Sequence, residues 1–446
     1  MTVTLVLALL LQLIAVLLLR VRLGKTWLQR PVTLLVLASV VYDGLSPTLM
    51  AFPSIGRWDI YRQGVHQSWI NEATLIMSAG MLAFTLCYFL THPERATAAP
   101  APEDIRAAAR VLDWRLLALA CAPLAVLTYE GRGYNNGSKP IGAGAPLSSD
   151  LASTFLVTLV VLAAFSLILR RGAGWFLPVL AVQSLLLAAA GERTPVVVDA
   201  IALIVLLAHA GRRPARRQLG AAVGLTVLAV LAITGVRAEQ GRAIYYRDSG
   251  LTARAVALGS GIAAAGTTSQ GGPGLAAQAA VRLDGTDFAG AILQAEHLGQ
   301  PRLSAGYVPE SLLLAVPSAA WPSKLAHGDA LNPPLLEADA FGLQQVNFLP
   351  GLAGLYAGFL TPAWLVIFLA VLGALAGRGE RLLLRSRSPA ALVMLAGAAI
   401  AALDYEEGLP GMLVNLRAAA VGAAVIMLAG FARRHWLAQA TRADAG

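Results

Sequence analysis

Charge is what this sequence has least of. Asp, Glu, Lys and Arg make up 13% of its 446 residues, while 57% are hydrophobic. A soluble globular chain carries about a quarter charged residues, so this shortage excludes an ordinary water-facing surface and points to a polytopic membrane protein. Cysteine is nearly missing. Cys87 and Cys121 fall in apolar runs without a paired spacing, which excludes a disulfide framework and leaves them as packing residues. The six histidines are scattered, so no metal-ligand spacing is present and neither a metal nor another cofactor is expected. Acidic residues are outnumbered, giving a net charge of +9. That excess speaks for nucleic acid only if it is not explained by topology.

Long apolar runs, by contrast, are plentiful. A membrane-crossing helix needs ~20 mostly apolar residues. Residues 3–19, 31–51, 69–91, 114–129, 151–169, 173–190, 195–209, 218–236, 355–377, 389–403 and 411–431 qualify or nearly do. The expected fold is therefore all-α, with about eleven transmembrane helices. No basic residue precedes the first run, and Arg20, Arg22, Lys25 and Arg30 follow it. This is the reverse of a secretory signal, and predicts a retained first span with its N-terminus outside. The loops then expected inside hold most of the basic residues, in the groups 20–30, 95–115, 170–171, 212–217, 378–387 and 433–442. The alternation follows the positive-inside rule and places the C-terminus in the cytoplasm. RRPARR (212–217) reads as a topology anchor, and no nucleic-acid partner is expected; the lipid bilayer is the first partner.

Three parts follow from this count: a membrane bundle over 1–236, one large extracytoplasmic loop over 237–346, and a C-terminal membrane part over 347–446. The loop is too apolar for disorder and too long for a simple connection. Its helix-like pieces predict short helices over the outer mouth of the bundle. No internal repeat is visible, which weakens readings built on duplicated halves.

The sparse charges carry the functional reading. A charge at membrane depth costs about 2.5–3.5 kcal/mol, so such residues face an interior, a cavity or the interface. AAAGERTPVVV (188–198) sets Glu192 and Arg193 between two apolar runs. Arg193 reads either as half of an interfacial ion pair or as an arginine aimed at an anion. Arg237, Arg242 and Arg247 follow the eighth run at intervals of five, stepping about 500° and so not sharing one helix face. Arg237 reads as a snorkelling helix end or as a second anion contact. Arg417 stands inside the last run near Asp404, Glu406 and Glu407, as a packing ion pair or a substrate contact. In the large loop, His297 beside Glu296 is the candidate general base, with the usual surface histidine as the plain alternative. Outer aromatics, among them Trp58, Trp69, Tyr307 and Trp321, suit sugar stacking or an interfacial belt. Guanidinium forks grip phosphate oxygens and stabilise a departing diphosphate without a metal. A lipid-linked diphosphate sugar meets both the charge pattern and the membrane setting.

GYVPESLLLAVPSAAWPSK (306–324), with the NPPLLEADAFGLQQVNFLPGLAGLYAGFL segment and the Gly-rich run after it, is similar to the closing third of bacterial oligosaccharide repeat-unit polymerases, the O-antigen polymerase (Wzy-type) family. GERTP resembles the Gly-x-Arg-Thr element of this group and of the related O-antigen ligases. The resemblance covers roughly residues 185 to 380. One departure is that Pro317 is followed by Ser318 where the family often has a basic residue, which leaves Lys324 as the substitute. The resemblance implies a glycosyltransferase-C-like fold in the cytoplasmic (inner) membrane. It further implies metal-independent inverting glycosyl transfer between undecaprenyl-diphosphate-linked oligosaccharides on the outer face of that membrane. Arg193 and Arg237 match the diphosphate-holding arginines; Arg242, Tyr307, Lys324 and Arg417 join them as substrate-binding candidates, and His297 and Glu296 are the catalytic ones. A chain-length regulator and a flippase of the same pathway are the implied protein partners. Two other readings stay open: a glycan ligase with the same chemistry, and a transporter or flippase for an anionic glycolipid.

Overall fold

The computed structural model describes residues 2–56, 64–92, 200–201, 224, 256, 285–299, 307–314, 316, 321, 351–352, 355, 361–386, 388–405 and 408–443. The described elements are all helices. Four segments are long and apolar enough to cross a membrane: Val3–Gln29, Pro31–Met50, Gln67–Thr91 and Pro362–Ser386, with a shorter apolar helix at Ala390–Leu403. The chain is a helical membrane protein, and its bundle can be built up from these rods.

Helix α1 (Val3–Leu23) begins where the Thr2 hydroxyl accepts the Leu5 N–H. It ends at Gly24, whose φ of 59° reverses the chain direction at no steric cost to a glycine. One face buries Leu5, Ala8, Gln12, Ala15, Leu19 and Leu23, the three-to-four spacing of a helix stripe. The other face exposes Val6, Leu10, Leu13 and Leu17. A face this apolar suits lipid rather than water. A tight turn (Gly24–Gln29) and Arg30 then lead to Pro31, which opens α2 (Pro31–Ser39) from the first helical position, where its missing N–H costs nothing.

Sequence periodicity predicts a plain helix over 31–51, but the rod is interrupted. Between α2 and α3 (Ser46–Met50) the backbone widens into a π-helical turn, Val40–Leu45, in which the Ser46 N–H reaches the Val41 carbonyl. Pro47 lies just beyond. Its ring lacks an N–H and crowds the carbonyl four residues back, and the wider turn absorbs that misfit. A short turn, α4 (Pro53–Gly56), follows.

Helix α5 (Gln67–Thr91) and helix α8 (Pro362–Ser386) form the centre. They run parallel: Gly80 meets Leu369, Phe84 meets Gly373, and Tyr88 meets Gly377. This sense agrees in parity with the expected span order, in which both helices run inward. The Gly373-x-x-x-Gly377 pair lets the backbones touch; a Cβ at Gly373 would strike the Phe84 carbonyl, and one at Gly377 the Tyr88 carbonyl. Close approach through small residues is the usual device for helix packing in lipid, and Thr91 Oγ1 adds a bond to the Ala374 carbonyl at 2.8 Å. The hydroxyls of Thr74, Ser78 and Thr85, all buried on α5, each donate to the carbonyl four residues back. That local satisfaction lets polar side chains sit in a dry interface.

Helix α8 departs from the expected 355–377. Pro362 fixes its start and the helix continues through Arg378, Glu380 and Arg385. Its charged end is tolerated because Glu380 is paired (below) while Arg385 is exposed. Helices α9 (Pro389–Leu403) and α10 (Gly408–Ala443) make an antiparallel hairpin, with Gly397 against Ala419. Helix α10 outruns the expected 411–431 at both ends.

Two helices come from the 237–346 segment: α6 (Thr286–His297) and α7 (Tyr307–Leu314). Short helices over the mouth of the bundle are expected there; the burial of α6 within the core is not. Helix α6 sinks its first half into the bundle, burying Phe288, Ala289 and Ile292, with Gly290 pressed on Ile70 of α5. Helix α7 packs on α10. One buried core thus draws on all three segments of the chain, for example through Met77, Phe288 and Leu365.

Candidate functional site

The docking of α6 positions the histidine singled out from sequence. Gln294 clamps the helix to the chain before α5: its Oε1 accepts the His66 N–H at 2.7 Å and its Nε2 donates to the Gly64 carbonyl at 2.9 Å. One turn on, His297 is exposed and stacks, tilted, on Trp69 with ring centroids 4.8 Å apart. His66 sits in the same neighbourhood, its Nδ1 2.7 Å from Ser68 Oγ. Two imidazoles and an indole therefore gather where α6 meets the start of α5. Glu296 is half-buried one position earlier. Consecutive helix residues point about 100° apart, so Glu296 and His297 do not share a face.

Arg417 is half-buried on α10 and extends Nη1 to the Val316 carbonyl, 3.5 Å away, just past α7. Asp404, one of the acids expected near it, accepts from Asn415 Nδ2 at 2.9 Å; Glu406 and Glu407 lie outside the described residues. Tyr307 opens α7. Arg193, Arg237, Arg242 and Lys324 all lie outside the described residues, as do His327 and Cys121, whereas Cys87 carries a free thiol. The structure thus brings His297 to Trp69 on the α5–α6 side and ties Arg417 to the α7 side.

Two buried polar centres escaped the sequence reading. The first is Asp43, fully buried in the π-helical turn. Its Oδ2 accepts the Ser39 hydroxyl at 2.8 Å and also the Tyr405 hydroxyl. Tyr405 lies in the connection between α9 and α10, its ring tilted on Tyr42 at 5.2 Å. Burial first, and then the neighbouring Asp43 carboxylate, push the Tyr405 phenol well above its ordinary range, so it stays a donor. Gly351, at φ 59°, lies where an added Cβ would crowd the Tyr405 carbonyl. The signal was available: Asp43 is the one acid in the run 31–51.

The second centre joins Arg30 to Glu380, Nη1 to Oε1 at 3.0 Å, with side chains 1% and 4% exposed. Tyr88 lies beside Glu380, and the buried His92 stacks on Tyr88 at 5.4 Å. By sequence alone Arg30 is one of several loop charges that set topology. It is instead a buried partner of a residue 350 positions away, which no local pattern announces.

Chemically, the α5–α6 corner offers an accessible imidazole beside an aromatic ring, suited to accepting a proton next to a stacked substrate. The two buried centres offer fixed polarity within the bundle. Among the described residues no group of three metal-ligating side chains forms. Comparison of the chain with known protein families, with characterised proteins and with solved structures finds no match.

Proposed function

We propose that this membrane protein polymerises undecaprenyl-diphosphate-linked oligosaccharide repeat units at the outer face of the cytoplasmic membrane, in the synthesis of a surface polysaccharide. The observation that carries the reading is the docking of α6, which presents His297 beside Trp69 within the segment where the resemblance to repeat-unit polymerases is found. In this reading a terminal sugar hydroxyl of the acceptor unit gives its proton to His297 and attacks the anomeric carbon of the donor glycan. The carbon–oxygen bond to undecaprenyl diphosphate breaks with inversion. Arg193 and Arg237, with Arg242, Tyr307, Lys324 and Arg417 as further contacts, hold the phosphate oxygens that take up the charge. Glu296 is the alternative base. The acceptor hydroxyl is a poor nucleophile until deprotonated, and general-base help is worth about 10²–10⁴ in rate.

The test is a glycan ladder from cells carrying single variants. Arg193→Ala and Arg237→Ala are expected to abolish long polysaccharide while the protein inserts normally, with single lipid-linked units accumulating on the outer side. His297→Ala is expected to cut chain growth steeply. Unaltered ladders in all three variants would overturn the assignment, and units trapped on the inner side would point to transport instead.

A further inference from the structure

The buried polar groups around Asp43 do not enter the proposed transfer, yet they are placed where polarity is hardest to keep. Asp43 stands in the middle part of a rod that is otherwise uncharged, about 20 Å along the helix from Arg30. Beside the π-helical turn that carries it, on the first helix, is Gln12, the one polar residue between Thr4 and Arg20. Gln12 is 2% exposed, and neither its Oε1 nor its Nε2 has a hydrogen-bond partner among the described residues. Its amide end lies directly against Gly44, the neighbour of Asp43 in the π-helical turn. A Cβ at Gly44 would collide with Gln12 Oε1, so the missing side chain is what admits the amide. An unbonded amide in an apolar interior costs about 1–3 kcal/mol even by the lower, protein-based figures. Leucine would fill that position on α1 without this cost.

From the orphaned amide, the carboxylate and the wide turn we infer that Gln12, Asp43, Ser39 and Tyr405 form a binding site for a small alkali cation, sodium in a cell. The donors are all oxygens: a carboxylate, a serine hydroxyl, a phenol and an amide carbonyl. Hard oxygen donors select hard cations over transition metals. One carboxylate among these four groups supplies a single negative charge, which matches a monovalent ion. Helix interruptions at membrane depth are a recurring setting for such ions, and the π-helical turn at Val40–Leu45 is one. The site joins α1, the α2–α3 rod and the α9–α10 connection, so the ion clamps three elements at once. This inference is independent of the glycan reading.

The test uses the full-length protein, purified in detergent in choline chloride and melted while following tryptophan fluorescence. At constant ionic strength, replacing choline by sodium is expected to raise Tm saturably, because a ligand held only by the folded state stabilises it by mass action. Potassium is expected to do much less. Asp43→Asn and Gln12→Leu should each abolish the sodium-dependent rise, and radioactive sodium should bind to the native protein at one ion per chain. Should Asp43→Asn not fold, Ser39→Ala serves in its place and should weaken the sodium response severalfold. Equal melts in sodium, potassium and choline would overturn the site. So would an undiminished response in Asp43→Asn or Gln12→Leu, or a rise reproduced by acidification alone with nothing further from sodium, which would make Asp43 a proton site.

Discussion

The two buried polar centres handle the same difficulty in opposite ways. At the Arg30–Glu380 centre, a full positive and a full negative charge meet at 3.0 Å and neutralise each other. At the Asp43–Tyr405 centre the carboxylate is held by neutral hydroxyls, from Ser39 and Tyr405, with the Gln12 amide nearby. The first arrangement is closed in charge, a cation answered by an anion, and its worth lies in fixing which helices meet. The second sets one carboxylate among uncharged oxygens, the donor set of the proposed cation site. Buried charges are thus no single category, and the identity of the donors tells a pin from a receptor.

Breaking one partner of the closed centre should have the largest effect. Glu380→Ala strands the Arg30 guanidinium in the bundle, and losses of about 3–5 kcal/mol are typical of such single cuts. The measurement is the loss of apparent Tm and of protease resistance in micelles. Replacing both members, as Arg30→Met with Glu380→Leu, should recover most of that loss; if the double variant is as unstable as Glu380→Ala, the pair does not act as a closed unit. Gly373→Ala comes next. It sets a methyl on the Phe84 carbonyl and pushes α5 from α8, and overpacking of this kind costs about 1–3 kcal/mol. It should lower Tm whatever the cation present. Tyr405→Phe should be milder, about 1–2 kcal/mol, because buried interhelical hydrogen bonds in membranes contribute modestly. The smallest change is expected for Gln294→Ala, about 1 kcal/mol or less, since its bonds lie at the exposed edge of the α5–α6 contact. That variant should instead loosen α6, which hydrogen exchange across 286–297 would report.

What could be read in advance, and what could not, divides along similar lines. Composition and the length of the apolar runs announced a helical membrane protein, and Val3–Leu23, Gln67–Thr91 and Pro389–Leu403 fall close to their expected ranges. These are local properties of the chain. The π-helical turn was half legible: Pro47 is visible, but whether a helix kinks, ends or widens there depends on what packs behind it. The Gly373-x-x-x-Gly377 spacing was also visible, though not the α5 backbone it accommodates. His297 stands out in the sequence beside a helix-like run and closes helix α6, while its contact with Trp69 depends on how α6 docks. Arg30 with Glu380, and Asp43 with Tyr405, are separated by 350 and 362 positions. Such pairs arise from the tertiary arrangement alone, and hydropathy scores each charge as an isolated penalty.

The last helix has a consequence of length. Helix α10 runs for 36 residues, about 54 Å at 1.5 Å per residue, whereas the hydrocarbon layer is about 30 Å thick. To hide entirely within that layer it would have to lean well past the roughly 40° that transmembrane helices reach. The helix therefore cannot lie wholly within that layer, and from Arg417 to Ala443 it is one continuous rod with no loop between.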